Sequence, residues 1–216
     1  MARWATISHC DERTQSVSGL RWGLEGDFTG LVFGVDEVGR GPLAGPVVAA
    51  ACCLSPESVP AGLADSKAVP APRRARIAAA LQLVAVAEAT VEEIDRLNIL
   101  RASHLAMQRA VAALADRIGP PAMVLVDGKL LPGLDFPARA IVKGDAQVAC
   151  IAAAAIAAKV ARDAIMVALD AECPGYGWAR NMGYGTAQHL AAIREIGVTR
   201  HHRQSFAPVR NAKSGC

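Results

Sequence analysis

The sequence predicts an α/β domain, a mixed sheet flanked by helices, with a helical segment toward the C-terminal end. Short apolar runs end in Gly, Pro or Asp, as strands entering loops do. Between them lie segments with apolar residues at helical spacing, and one long Ala-rich segment follows the last run. A chain of 216 residues can bury one sizeable core but is short for two. Hydrophobic residues make up 52% and aromatics only 4%, so the interior is largely Ala and Val, which suits helices packed closely on a sheet.

Residues 1–29 are mixed and aperiodic and read as an N-terminal extension, with Trp4 and Trp22 as groups that could dock; residues 30–216 form the folded domain. Leu31 to Asp36 is a strand that delivers two carboxylates and meets a loop of Gly39, Gly41, Pro42, Gly45 and Pro46. Val47 to Leu54 returns as the next strand. Residues 55–72 are turn-rich and carry Asp65-Ser66-Lys67, and Arg73 to Leu83 reads as a helix with Ile77 and Leu81 on one face. Val84 to Val91 is a third strand. Apolar spacing from Ile94 to Leu114 gives a helical region ended by Gly119-Pro120-Pro121. Met123 to Val126 is a buried strand that stops at Asp127-Gly128. Ala140 to Val142 leads through Lys143-Gly144-Asp145 into a long helix from Ala146 to about Leu169, with Asp145 near its N-terminus. After a break at residues 174–177, Thr186 caps a helix that Gly197 ends.

The formal net charge of +3 does not by itself announce a nucleic-acid partner. Its distribution is uneven: no acid follows Glu195, whereas Arg200, His201, His202, Arg203, Arg210 and Lys213 make a basic tail, either solvated or in contact with phosphate. Six cysteines show no CxxC spacing, and Cys52-Cys53 sits within an apolar strand, so the thiols read as small hydrophobes in a reducing, cytoplasmic protein. Residues 148–160 are too short and too weakly apolar to span a bilayer. The glycines near residue 40 lack the lysine and hydroxyl of a nucleotide-binding phosphate loop, so no nucleotide cofactor is implied.

The chemistry lies in the acids. Asp36, Glu37, Asp127 and Asp145 arrive at strand ends or a helix start, where the ends of a mixed sheet gather. Converging carboxylates repel, and a hard divalent cation, Mg²⁺ or Mn²⁺, is the usual remedy. Asp127 before Gly128 also fits a turn residue, and Asp145 also fits an N-cap. Asp36-Glu37 is different, because two adjacent acids close an apolar strand where neutral turn residues are normal. His201 and His202, as neighbours on extended chain, point apart and do not make a ligand pair; they read as tail packing or phosphate contact.

The run Gly34-Val35-Asp36-Glu37-Val38-Gly39-Arg40-Gly41-Pro42-Leu43-Ala44-Gly45 resembles the signature of ribonuclease HII. Asp65-Ser66-Lys67, Glu93-Ile94-Asp95, Val126-Asp127-Gly128, Lys143-Gly144-Asp145, residues 158–163, Gly183-Tyr184 and His201-His202-Arg203 follow in that family's order, and the likeness covers about residues 30–209. The resemblance implies a ribonuclease H-like fold in which Asp36, Glu37, Asp127 and Asp145 hold Mg²⁺ or Mn²⁺ and act in catalysis. It implies that Gly39-Arg40-Gly41 reads an RNA-DNA junction, that Tyr184 stacks on a neighbouring sugar and that Lys67 contacts phosphate. The implied partner is an RNA-DNA hybrid or duplex DNA containing ribonucleotides, cut 5′ to the ribonucleotide to leave 3′-hydroxyl and 5′-phosphate ends, by a monomeric endoribonuclease serving ribonucleotide removal in replication and repair. Ala152 and Ala155 stand where the family commonly has serines, and Gly185 where it commonly has Pro, a change that should loosen the tyrosine loop. Two other readings share some of these features: a junction-resolving nuclease, which gives no reason for Gly39-Arg40-Gly41 with Tyr184, and an inactive hybrid-binding module, in which four retained acids would weaken phosphate binding.

Overall fold

The apolar runs pair into one five-stranded sheet in the computed structural model of the chain, which describes residues 20, 24–66 and 68–213. Strands β1 (Val32–Val38), β2 (Val47–Cys53) and β3 (Val84–Ala89) form an antiparallel meander. Strands β4 (Met123–Asp127) and β5 (Ala138–Ile141) add in parallel on the other side of β1, giving the order β3-β2-β1-β4-β5. The helices are α1 (Ala71–Ala80), α2 (Val91–Leu97), α3 (Ile99–Ile118), α4 (Ala149–Glu172), α5 (Trp178–Asn181), α6 (Ala187–Ile196) and α7 (Ala207–Lys213). The fold is thus the expected mixed sheet between helices with a helical C-terminal part.

Strand alternation divides the core. Phe33, Val35, Val47, Ala49 and Ala51 face α3 through Ala102, Ala106, Met107, Ala110 and Leu114. On the opposite face, Val48, Ala50 and Cys52 meet Ala149, Ala152, Ala153 and Ile156 of α4. The small residues allow backbones to touch: a Cβ on Gly34 would lie 2.2 Å from the carbonyl carbon of Cys150, so the start of α4 rests directly on β1. Cys52, Cys53 and Cys150 are buried and free, as small hydrophobes should be. No helix among the described residues is long and apolar enough to cross a membrane.

Several boundaries differ from the sequence expectation. β1 continues two residues beyond Asp36, so the acids lie within the strand and point to opposite faces. The helical region divides at Asn98, whose φ of 73° ends α2 while its side chain accepts hydrogen bonds from Leu100 and Arg101 to start α3. Thr90 and Glu93 form a reciprocal capping box, which ends β3 at Ala89 and places Val91 in α2. Asp145 is not a helix cap: it sits in a separate 3-10 turn, Gly144–Ala146, and α4 begins at Ala149 after Val148, which offers no capping side chain.

That vacant capping role falls to Glu25, far away in sequence. Its Oε1 accepts from the backbone N–H of Cys150 at 3.1 Å, placing a carboxylate at the positive end of the long helix. Leu20 is buried beside α4 as well. Glu25→Ala should therefore cost about 1 kcal/mol, seen as a fall in melting temperature of about 2–4 °C, whereas Glu25→Gln, which keeps the acceptor, should lose less.

Candidate active site

The parallel pairing of β1 with β4 sets Val35 opposite Val126, so Asp36 and Asp127 leave adjacent strands at one edge of the sheet. Asp127 in turn lies opposite Ile141 of β5, and the left-handed Lys143 (φ 56°) turns the chain so that Asp145 follows within four residues. Gly144 donates its N–H to Asp127 Oδ1 at 2.6 Å, tying that turn to the acid. Glu37, on the other face of β1, borders a cavity of about 270 Å³ shared with Arg40, Ser103, His104, Asp127 and Lys129. The topology thus brings all four predicted acids to one edge.

Their electrostatics are unfavourable in the absence of a cation. Burial, then the charges of Glu37 and Asp127, hold the Asp36 carboxyl well above its ordinary range; the Glu37 amide, donating to Asp36 Oδ1 at 2.7 Å, opposes this only in part. Burial raises Glu37, against the pull of Arg40 at 3.3 Å. Burial also raises Asp127, with Asp145 adding to the effect and the Gly144 amide opposing it. A cluster of hard oxygen donors that raise one another's pKa fits Mg²⁺ or Mn²⁺. The acids do not form a closed cage: among the described residues, the group of three ligand-type side chains with donor atoms all within 4.8 Å lies elsewhere, at Glu172, Cys173 and His201. Ions held by the four acids would therefore complete their coordination with water or substrate oxygens, as Mg²⁺ commonly does.

Next to the acids, the glycine loop is held from behind by two buried arginines. Arg203 donates to the carbonyls of Gly39 (2.6 Å), Arg40 (3.0 Å), Gly45 (2.9 Å) and Pro46 (3.2 Å). Arg162 donates to Pro46, Ala44 and Met182. Because C=O and the following N–H point oppositely across a trans peptide, inward carbonyls at Gly39 and Arg40 turn the N–H groups of Arg40 and Gly41 outward. Gly39 has φ 101°, and any Cβ there would sit 2.1 Å from Arg162 Nε, so this position admits glycine alone. Tyr184 is half exposed and approaches Gly41 so closely that a Cβ there would lie 3.3 Å from its ring. Acids, loop and tyrosine are contiguous, with Arg40 joining them through Glu37.

Arg203 is fully buried rather than solvated or free to meet phosphate, and His202 is fully buried too, the packing alternative for the tail. His202 Nδ1 accepts from the Thr199 N–H at 2.9 Å, which leaves its Nε2 to donate to His189, and Trp178 also donates to His189. Burial first, and His189 second, press His202 down to about 4, so it is neutral in this core. His201 instead meets Glu172. Arg162 was a motif residue without a stated role, and its partners are backbone carbonyls, which leave no mark in sequence. His104 was missed because its place in α3 gives no cue that it reaches the cavity.

Ala152 and Ala155 are buried in α4, and among the described residues the buried side-chain polar atom without a partner is Glu25 Oε2, at the start of that same helix. Gly185 does not leave the tyrosine loop unheld: the Tyr184 carbonyl meets Thr186 N–H at 2.8 Å and His189 Nδ1 at 2.9 Å. Lys67, like Trp4 and Trp22, lies outside the described residues.

Comparison with known proteins identifies the family and the fold. The family profile described as Ribonuclease HII matches residues 33–209. A ribonuclease HII of Cereibacter sphaeroides is 61% identical over 188 residues, 85% of this chain and 87% of that protein. The structure of ribonuclease H2 from Pyrococcus horikoshii aligns with a TM-score of 0.70 at 25% identity, covering 86% of this chain and 98% of that one. Bst-RNase HIII, solved in complex with Mn²⁺, shares the fold with a TM-score of 0.67 at 22% identity, covering 99% of this chain and 76% of its own. The chain belongs to the ribonuclease HII family and is a nuclease of the ribonuclease H type.

Proposed function

We propose that the chain hydrolyses the RNA strand of RNA-DNA hybrids and cuts duplex DNA 5′ to embedded ribonucleotides, leaving 3′-hydroxyl and 5′-phosphate ends. The observation that carries this is the junction of four acids with a loop whose outward amides and neighbouring tyrosine can read a sugar. Asp36, Glu37, Asp127 and Asp145 would hold two Mg²⁺ or Mn²⁺ ions. When bound, such ions lower the pKa of a water and offset charge on a phosphodiester. The acids position that charge, and the Gly144 amide keeps Asp127 oriented toward Asp145. The N–H groups of Arg40 and Gly41 are placed to meet a 2′-hydroxyl or an adjacent phosphate, and the Arg40 guanidinium to meet phosphate. The Tyr184 ring covers the neighbouring sugar. The four acids, the glycine loop and Tyr184 all come from one chain, and on this reading the enzyme acts as a monomer in ribonucleotide removal.

Incubating the protein in Mg²⁺ or Mn²⁺ with a duplex containing one ribonucleotide, beside an all-DNA duplex, tests the reading. Cutting 5′ to the ribonucleotide, abolished by EDTA, is the expected result. Equal cutting of the all-DNA duplex, or no cutting of either with both ions, overturns it. Tyr184→Ala should raise KM about tenfold by removing an exposed aromatic platform. Because that side chain is half exposed, its melting temperature should stay near wild type.

A further inference from the structure

The end of α4 and the segment after α6 bring three different donors together. Glu172 is the last residue of α4, Cys173 is its C-cap with a free, partly exposed thiol, and His201 lies on the later segment. A ligand atom from each lies within 4.8 Å of the other two, and His201 Nε2 stands 3.1 Å from Glu172 Oε1. Tetrahedral coordination with Zn–N and Zn–O bonds of about 2.0–2.1 Å puts neighbouring donors about 3.3 Å apart, so this pair is already near coordination spacing. A positive group already neighbours two of the donors: the Arg200 guanidinium bonds to Glu172 and also reaches His201 Nε2.

We propose that Glu172, Cys173 and His201 form a second metal site, selective for Zn²⁺ or a similarly borderline transition-metal ion, with water in the fourth position. Thiolate and imidazole donors disfavour Mg²⁺ and Mn²⁺ relative to Zn²⁺, so the site differs in kind from the all-oxygen cluster at the sheet edge. Its three side chains are also separate from that cluster, since none of them lines the cavity beside Glu37 and Asp127. Binding deprotonates the Cys173 thiol and releases its proton to solvent. The Arg200 side chain is 75% exposed, so leaving Glu172 for water costs it little. The bound ion clamps segment 199–203 to α4. That clamp reaches the glycine loop, because the His201 carbonyl accepts from Gly45 N–H at 2.9 Å and Arg203, two residues on, holds the carbonyls of Gly39 and Arg40.

Titration of the full chain with Co²⁺ is the test, in excess Mg²⁺ and a thiol-free reductant. A near-ultraviolet thiolate-to-cobalt charge-transfer band that saturates at one equivalent and is displaced by Zn²⁺ is expected; oxygen ligands alone give none. Cys173→Ser should abolish the band, and His201→Ala should weaken Zn²⁺ binding by more than about tenfold. Cys173→Ser retains a small polar side chain at a partly exposed position, so its folding, followed by far-ultraviolet dichroism, should match wild type. Absence of the band in the wild type, or a band of equal size in Cys173→Ser, overturns the proposal, and neither readout depends on nuclease activity.

Discussion

Asp36→Asn should abolish cleavage while raising the melting temperature of the metal-free protein. Losing one ligand of a catalytic ion removes several kcal/mol of transition-state stabilisation, a fall in kcat of about 10³-fold or more. The stability gain has a separate origin. Asp36 is buried within reach of Glu37, Asp127 and Asp145, and burial and like charge together raise its carboxyl. The unfolded chain therefore gives up this proton at lower pH than the native one. Below the ordinary carboxylate range both states hold the proton, so charge removal gains nothing there. As pH rises through that range toward the raised native value, the native state loses stability relative to the unfolded chain, and the variant escapes the loss. At neutral pH the gain should be on the order of 1–3 kcal/mol, about 2–4 °C for each kcal/mol. Calorimetry in EDTA at pH 4 and pH 7, with cleavage assays in Mn²⁺, checks both parts. Asp127→Asn should lose cleavage with a smaller stability gain, because Asp127 is more exposed and Asn can still accept from Gly144. An Asp36→Asn protein that cuts at the wild-type rate would sink the assignment of the site.

How much of this was legible in the sequence depends on what kind of partner a residue has. Asp36, Glu37 and Asp127 could be placed because an acid at the end of an apolar run is itself a sequence signal, and parallel pairing then brings two such ends together. Asp145 was ambiguous by the same logic: an acid before an Ala-rich segment looks like a cap until the helix is seen to start at Ala149. The break at Asn98 was hidden by apolar spacing that runs through it, although an Asn that tolerates φ 73° and caps the next helix was a cue. Arg203 stood in a motif without a readable role, and Glu25 gave no signal. One binds backbone carbonyls more than 150 residues away and the other a backbone amide 125 residues away, and main-chain partners carry no residue identity to search for. The pairing of Arg40 and Gly41 amides with the outside of the loop follows from Arg203 and was equally invisible.

Arg203→Leu should produce the largest loss of stability of any single change discussed. The side chain is fully buried and donates to four backbone carbonyls; removing it takes that donor from Gly39, Arg40 and Gly45, while Pro46 keeps only Arg162. Burial, and then the neighbouring Arg162, press its ionisation down to about 9, with the Asp95 carboxylate opposing. Asp95 also anchors the segment that carries Arg203, accepting from the N–H groups of Gln204 and Ser205 at 2.9 Å. The guanidinium is held charged by a cage of carbonyl dipoles. Breaking such a buried arrangement costs about 3–5 kcal/mol, hence a fall in melting temperature of roughly 10 °C or more. Arg203→Lys keeps the charge but not the planar fork, so it reaches at most some of the same oxygens and should recover only part of the stability. Its loop is also less fixed: the carbonyls of Gly39 and Arg40 are no longer both drawn inward, and the amides of Arg40 and Gly41 lose their shared outward direction. For a ribonucleotide-containing duplex, Arg203→Lys should therefore raise KM more than it lowers kcat, because the four acids are unchanged. Melting curves and steady-state kinetics on this variant separate the two effects. Wild-type stability and KM in Arg203→Lys would show that charge alone is required and that the fork does not shape the loop.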